Sequence, residues 1–230
     1  MEIPAGVRRL CVAYDIESYS VRRNRGQLAA QDRLTRVIRD ACAAAGLADG
    51  DFEAQHQGDG GLVLLPTGGE VDEPLLISAF IRSLEASLRE ANRGAEAGEP
   101  IRLRVALREG IVFTAAHGYA GDAVVDAFRM CDAPAVRRVL AANPDADLVI
   151  VVSDGLHRDV VRHGDHGLPG DSFVAHPLQV KQFCDTGWIY VPGGDAGLPP
   201  EPRTAPAAPA RSEGSFLAEA LDRDTPYDLF

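Results

Sequence analysis

The chain has little positive charge and no long apolar run. Its 230 residues include 23 Lys and Arg against 34 Asp and Glu, which gives a net charge of −11. A chain this acidic lacks the basic surface that binds a nucleic-acid backbone or an anionic membrane, so we expect neither partner. No apolar segment approaches the ~20 residues that span a bilayer, and no secretory signal pattern opens the sequence. We therefore expect a cytoplasmic protein.

Cysteine is also scarce, and its pattern excludes several kinds of site. Cys11, Cys42, Cys131 and Cys184 form no CxxC pair and no regular spacing. Three of them fall in segments predicted as buried strand or helix. We interpret them as reduced cysteines in a cytosolic protein, not as a disulfide framework or a metal site.

Hydrophobic residues make up 46% of the chain, which is enough for a packed core. Their periodicity predicts, in order, a strand, a helix, two strands, a helix, a strand pair, a helix, a strand, a small helix and a hairpin. The helix that begins at Asp122 is interrupted or restarted at Pro134. Strands outnumber helices and include adjacent hairpins. The order predicts an α+β ferredoxin-like sandwich, a mostly antiparallel sheet with helices on one face.

The composition changes at Pro192. We predict one domain over residues 1–192 and a Pro/Ala-rich linker and tail over residues 193–230. The stretch from Ser215 to Phe230 regains apolar residues and predicts a short amphipathic helix with an apolar end. Docking on the domain, docking on a protein partner and disorder are the alternatives for this tail.

Two carboxylates stand out by position. Asp15 ends the first predicted strand, and Asp59 lies at the tip of a predicted hairpin in Gly58-Asp59-Gly60. Either one alone is ordinary, because Asp is a common turn and capping residue. In a ferredoxin-like sheet the first strand and this hairpin are usually neighbours, so the two side chains would converge. Paired carboxylates suit Mg²⁺ or Mn²⁺, and such a pair can hold two ions that clamp a triphosphate.

Four blocks of sequence, taken in order, resemble the class III adenylyl and guanylyl cyclases. The first two are Asp15-Ile16-Glu17-Ser18-Tyr19-Ser20 and Gly58-Asp59-Gly60-Gly61-Leu62-Val63. The third is Arg104-Val105-Ala106-Leu107-Arg108-Glu109-Gly110, followed by Gly121-Asp122-Ala123-Val124-Val125-Asp126-Ala127-Phe128-Arg129. The fourth is Val180-Lys181-Gln182-Phe183. The resemblance covers about residues 7–192.

The resemblance implies a role for each matching position. Asp15 and Asp59 match the ligands of the two metal ions, assisted by the carbonyl of Ile16. Arg129 matches the arginine that stabilises charge on the transferring phosphorus, and Lys181 matches the phosphate-binding lysine loosely. In the family this arginine comes from the other protomer, which implies a homodimer with two composite sites. The implied reaction is attack of the ribose 3′-hydroxyl on the α-phosphorus with release of pyrophosphate.

Three positions depart from the family pattern. The position that selects the purine, four residues before Asp59, is typically Lys or Glu and is Gln55 here. Its partner position falls at Gly118 or Tyr119. The family usually has an Asn four residues before the arginine, and that position is Val125, which cannot hydrogen-bond to a ribose.

These departures leave alternative functions open. Gln55 and Tyr119 would form an uncharged, narrower base pocket. The chain also resembles in build the pyrimidine cyclases of bacterial anti-phage signalling, which implies UTP or CTP as substrate and a role in antiviral defence. Loss of the Asn instead favours a cyclase-like module that binds a nucleotide or a protein but turns over poorly. A third alternative is an adaptor whose tail docks into a partner.

Overall fold

A computed structural model describes residues 4–69, 71–93 and 100–198. The eight strands of these ranges are β1 Val7–Ile16, β2 Glu53–Gln57, β3 Gly60–Pro66, β4 Leu103–Ala115, β5 Gly118–Ala120, β6 Leu148–Ser153, β7 Val174–Val180 and β8 Phe183–Tyr190. The α-helices are α1 Asn24–Ala44, α2 Glu73–Arg93, α3 Asp122–Cys131, α4 Pro134–Ala142 and α5 Asp154–Asp159. The predicted tail helix lies outside the described residues. The helix and its docking on a partner stay predictions.

The strands form one sheet in the order β2-β3-β1-β4-β6-β8-β7, with β5 paired to the far end of β4. Only β4 and β6 run parallel among the pairs of the described residues. The α+β fold with a mostly antiparallel sheet is therefore confirmed. Because β1 lies between β3 and β4, its last residues meet the turn that joins β2 to β3.

Helices cover both faces of the sheet, so the expectation of helices on one face was wrong. Side chains of α1, α2 and α5 pack with Val12 and Tyr14 of β1 on one face, and α3 and α4 pack over Cys11 and Ala13 on the other. A Cβ added at Gly110 would lie 2.5 Å from the Cβ of Ala123. Small residues on this second face let α3 approach the sheet closely, and the face carries the candidate site.

The described chain stays packed beyond the predicted boundary at 192. His176 Nε2 donates to the carbonyl of buried Ala196 at 2.7 Å. The Asn143 side chain donates to the Asp195 carbonyl at 2.8 Å and accepts from the Asp195 N–H at 2.9 Å. These contacts hold the chain against the domain as far as Ala196. Among the described residues, no helix combines the length and the apolar character that crossing a membrane requires.

One arginine ties the start of β4 to the end of α4. The Arg102 guanidinium donates to the carbonyls of Leu140, Asn143 and Ala146 at 2.6, 2.8 and 2.9 Å. It also donates to the Glu17 carboxylate at 2.6 Å. The last carbonyls of a helix have no N–H donor within the helix, and the Arg102 guanidinium supplies donors at the end of α4.

Replacing Arg102 with alanine is expected to lower the free energy of unfolding by about 3 kcal/mol, because part-buried carbonyls and a carboxylate lose their donors. Urea unfolding followed by circular dichroism measures this loss. Arg102→Lys should recover only part of the lost stability, since an ammonium cannot span four acceptors. The exposed pair of Arg89 with Glu85 provides the control, and Arg89→Ala should change stability by no more than about 0.5 kcal/mol. An equally small effect of Arg102→Ala would contradict this assignment.

The only tryptophan of the chain stacks on a buried histidine. The rings of Trp188 and His157 are 3.5 Å apart and within 5° of parallel. Trp188 Nε1 donates to Asp154 at 3.0 Å, which fixes the indole. Burial lowers the pKa of His157 below its usual value of 6.5, and the nearby Asp154 carboxylate opposes that shift.

The stability of the domain is therefore expected to fall as the pH drops below about 6.5. In that range the unfolded chain takes up a proton at His157 that the folded chain does not, so the stabilisation present above pH 6.5 is lost as the pH falls through the lower folded pKa. Denaturant midpoints measured from pH 8 to pH 5 by Trp188 fluorescence report this change. His157→Phe keeps a ring against Trp188 and should flatten the pH dependence; an unchanged slope would show that other groups cause it.

Candidate active site

The two predicted carboxylates meet at the end of β1. The register pairs Asp15 with Gly60, the first residue of β3. The Ile16 N–H donates to the Asp59 carbonyl at 2.9 Å, which joins the end of β1 to the hairpin turn. Both carboxyl side chains line one cleft of about 480 Å³. The convergence expected from the sequence is present, and the role of the pair as metal ligands stays a prediction.

Glycine is required on both sides of Asp59. Gly58 has a φ of +61°, in the left-handed region that favours glycine. A Cβ added at Gly60 would lie 2.3 Å from the carbonyl oxygen of Tyr14. The Gly-Asp-Gly sequence thus lets the turn pack directly against β1, which places the Asp59 carboxylate beside Asp15.

A buried arginine faces Asp15 from the neighbouring strand. Arg104 lies opposite Asp15 in the β1–β4 register, is 6% exposed, and donates to the Asp15 carboxylate. Burial raises the pKa of Asp15; Arg104 opposes that shift, and the charges of Asp59 and Asp132 add to it. Crowded carboxylates of this kind favour a bound cation, which would relieve their mutual repulsion.

Asp132 and Arg137 belong to the site although no local sequence pattern pointed to them. Asp132 caps the C-terminal end of α3 and lines the same cleft as Asp15. Its carboxylate pairs with Arg137 on α4. An Asp just after a helix looks like an ordinary cap, and only the packing of α3 against β1 brings it here.

The predicted cations reach the cleft from two other elements. Arg129 on α3 and Lys181 in the β7–β8 turn both line it. Arg129 pairs with Asp126 at 3.3 Å, and Lys181 has a φ of +54°, which is uncommon outside glycine. The resemblance implied that the acting arginine comes from a partner protomer. In one chain, Arg129 lies at the cleft that contains its own aspartates, on a helix face that also exposes Val125.

The predicted base-binding residues lie close to each other, on β2 and β5. A Cβ added at Gly118 would lie 2.8 Å from the Gln55 side-chain oxygen, so Gln55 packs against the strand that carries Tyr119. Neither is among the described residues that line the cleft. Tyr119 donates its hydroxyl proton to Glu53, and this hydrogen bond is the main cause that raises the pKa of Tyr119 to about 12. Glu53 therefore adds a carboxylate beside this pair, and the role of Gln55 and Tyr119 in base binding stays a prediction.

A second cleft also borders the aspartate pair. It has a volume of about 540 Å³ and shares Asp15, Asp59 and Asp132 with the first. Its lining includes residues 16–21, at and after the end of β1, and Arg137 of α4. The carboxylates thus line two open spaces.

The donor set fits a cation that arrives with a substrate. Among the described residues, no group of three or more His, Cys, Asp or Glu is arranged to hold a metal ion. Asp15 and Asp59 supply two carboxylates, and Ile16 supplies a backbone carbonyl. Mg²⁺ is usually bound by one or two carboxylates, with waters and substrate phosphates as the remaining ligands. The residues present therefore fit Mg²⁺ or Mn²⁺ bound together with a triphosphate.

Comparisons with known proteins identify the fold. No protein-family model matches the chain, and no curated protein matches it. The guanylyl cyclase Cya2 aligns with 15% identity over 88% of this chain and 98% of its own, with a TM-score of 0.56. An adenylate/guanylate cyclase/hydrolase from Silicibacter pomeroyi aligns with 21% identity over 82% of this chain and 99% of its own, with a TM-score of 0.54.

The catalytic core of a rhodopsin-guanylyl cyclase with converted specificity, in complex with ATPαS, gives a third comparison. It aligns with 19% identity over 83% of this chain and 99% of its own, with a TM-score of 0.53. Identities this low show the fold alone. The fold of the chain is that of the class III adenylyl and guanylyl cyclase catalytic domains, as the sequence blocks predicted.

Proposed function

We propose that this chain, which has the fold of the class III cyclase catalytic domains, is a cytoplasmic nucleotidyl cyclase. It would convert a nucleoside triphosphate into a 3′,5′-cyclic monophosphate and pyrophosphate. The observation that supports this most is the convergence of Asp15 and Asp59 in one cleft with Arg129 and Lys181. Hard oxygen ligands and cationic donors around one space suit phosphoryl chemistry on a triphosphate.

In the proposed reaction the acidic side chains bind metal ions and the basic side chains bind phosphate. Asp15, Asp59 and the Ile16 carbonyl would hold two Mg²⁺ or Mn²⁺ ions, which neutralise the triphosphate and favour ionisation of the attacking hydroxyl. The O3′–Pα bond forms, the bond from Pα to the bridging oxygen breaks, and the hydroxyl proton is lost to solvent. Arg129 would donate to the α-phosphate oxygens as charge develops there, and Lys181 would bind the departing pyrophosphate.

We propose a homodimer whose two sites each use both protomers. In one chain neither Gln55 nor Tyr119 lines the aspartate cleft, which supports base contacts from a second protomer. The outer face of α3 exposes Val125 and Phe128, which are 45% and 37% accessible. Apolar side chains on this face fit contact with a second copy, in which the base contacts of one protomer would meet the aspartates of the other.

We propose a pyrimidine substrate on the sequence resemblance, and of UTP and CTP we propose CTP. Gln55 offers one donor and one acceptor group in place of the charged purine-selecting residue. Glu53, held by the Tyr119 hydroxyl, adds an acceptor. A carboxylate accepts hydrogen bonds from the 4-amino group of cytosine, whereas uracil has a carbonyl at that position. A role in anti-phage signalling is proposed on the sequence resemblance alone.

Incubation of the purified protein with each of the four ribonucleoside triphosphates and Mn²⁺ tests the function. Mass spectrometry of the products should show one cyclic monophosphate in excess, and its base identifies the substrate. No cyclic product from any triphosphate, with a folded dimer, would overturn the cyclase proposal.

A nucleotide-binding module with little turnover is the second candidate, and Val125 favours it. This side chain lines the cleft where the resemblance implies an asparagine against the ribose. Binding of a triphosphate without any cyclic product would support this function. Gain of product in Val125→Asn would then identify the missing side chain as the cause.

A further inference from the structure

The second cleft gives a ligand seated on the aspartates a place to extend. It shares Asp15, Asp59 and Asp132 with the first cleft and continues between residues 16–21 and α4. The walls of the first cleft include the apolar side chains of Val125 and Phe128, which suit a nucleoside. The phosphates beyond the reacting one would then lie in the second cleft.

Two basic side chains are among the described residues that line this second cleft, and they differ in exposure. Arg104 is buried and engaged with Asp15. Arg137 is on the first turn of α4, and its side chain is 52% exposed. Arg137 is therefore the cation that a ligand entering from solvent meets at the mouth of the cleft.

Asp132 holds the Arg137 side chain across the junction of α3 and α4. The Asp132 carboxylate accepts from Arg137 Nη2, and the Asp132 carbonyl accepts from Arg137 Nε at 3.2 Å. The Asp132 side chain is 58% exposed, so this ion pair adds little stability. A phosphate carries more charge than a carboxylate and offers a bidentate acceptor, so it competes well for the guanidinium.

We propose, on the basis of the cyclase function above, that Arg137 binds the terminal phosphate of the nucleoside triphosphate in this second cleft. The guanidinium exchanges the Asp132 carboxylate for phosphate oxygens when the nucleotide enters. Arg137 acts on binding and not at the reacting α-phosphorus, so it selects triphosphates over diphosphates.

Calorimetric titrations with 3′-deoxynucleotides test this assignment. These probes lack the attacking hydroxyl and cannot cyclise. The 3′-deoxy triphosphate and diphosphate of each of the four bases are titrated, with Mn²⁺, into the wild-type protein and into Arg137→Ala, Arg137→Lys and Arg138→Ala. Arg137→Ala should weaken triphosphate binding about tenfold or more and diphosphate binding less than twofold. Arg137→Lys should recover part of the loss, and Arg138→Ala, the neighbouring arginine, should bind both as the wild type does.

Each outcome bears on the assignment. Equal weakening of triphosphate and diphosphate, or no weakening of either, overturns it. If the wild type binds no nucleotide, both this assignment and the cyclase proposal fail. If Arg137→Ala selectively loses triphosphate while the wild type forms no cyclic product, the cyclase proposal fails and the assignment of Arg137 holds.

Discussion

Replacing Asp59 with asparagine is expected to lower the rate of cyclic nucleotide formation by about 10³-fold or more, because metal ions contribute several kcal/mol of transition-state stabilisation. The substitution keeps the shape of the side chain and the backbone bond from Ile16 to residue 59. It removes one of the two charges that would hold the cations. The fold should be unaffected, and product formation measured by mass spectrometry should be lost.

Asp171→Asn is the matched control, because Asp171 is exposed and lines neither cleft. It removes the same charge from the chain and should leave the rate unchanged. A manganese titration adds a second readout, since Asp59→Asn should need more metal to reach half of its residual activity. An Asp59→Asn protein that cyclises at the wild-type rate would show that the carboxylate pair is not the reaction centre.

A heterodimer of two inactive variants should regain about half of the wild-type activity if Arg129 of one protomer acts at the aspartates of the other, as the sequence resemblance implies. Asp59→Asn and Arg129→Ala are co-expressed with different tags, and tandem purification selects the heterodimer. In a composite arrangement one site contains both defects and the other contains neither. In an arrangement within one chain, every site has one defect and activity stays at background.

The pairing of Asp15→Asn with Asp59→Asn is the control for this experiment. Both defects affect the metal ligands, so each composite site of that heterodimer has one of them and no activity should return. If activity returns in the heterodimer that contains Arg129→Ala and not in this control, the acting arginine comes from the partner protomer. If activity returns in neither heterodimer, Arg129 acts on the aspartates of its own chain, whose cleft it lines.

Local patterns were sufficient to predict the elements that carry Asp15 and Asp59. The apolar run before Asp15 and the glycines around Asp59 each specify a strand end and a turn within a few residues. Pro134 likewise indicated the break between α3 and α4, because proline fits the first turn of a new helix. The order of these blocks then predicted the fold that the structural comparisons show.

Contacts between distant strands could not be predicted in this way. Arg104 is 89 residues from Asp15 in the chain, and only the register of β4 against β1 brings it to that carboxylate. Glu53 carries no local signal for the site, and only the pairing of β5 with β4 places the Tyr119 hydroxyl against it. Side chains of this kind have no local signature, because their partners are chosen by strand pairing.

The sequence by itself determined the strand ends, the turns and the identity of the two aspartates, since these depend on alternation and glycine chemistry over short distances. The tertiary structure alone decided that helices cover both faces of the sheet and that Asp132 and Arg137 join the site. It also divided the space around the aspartates into two clefts. The physical reason is that small residues such as Ala13 and Gly110 set how closely α3 packs on the sheet, and that distance depends on both surfaces at once.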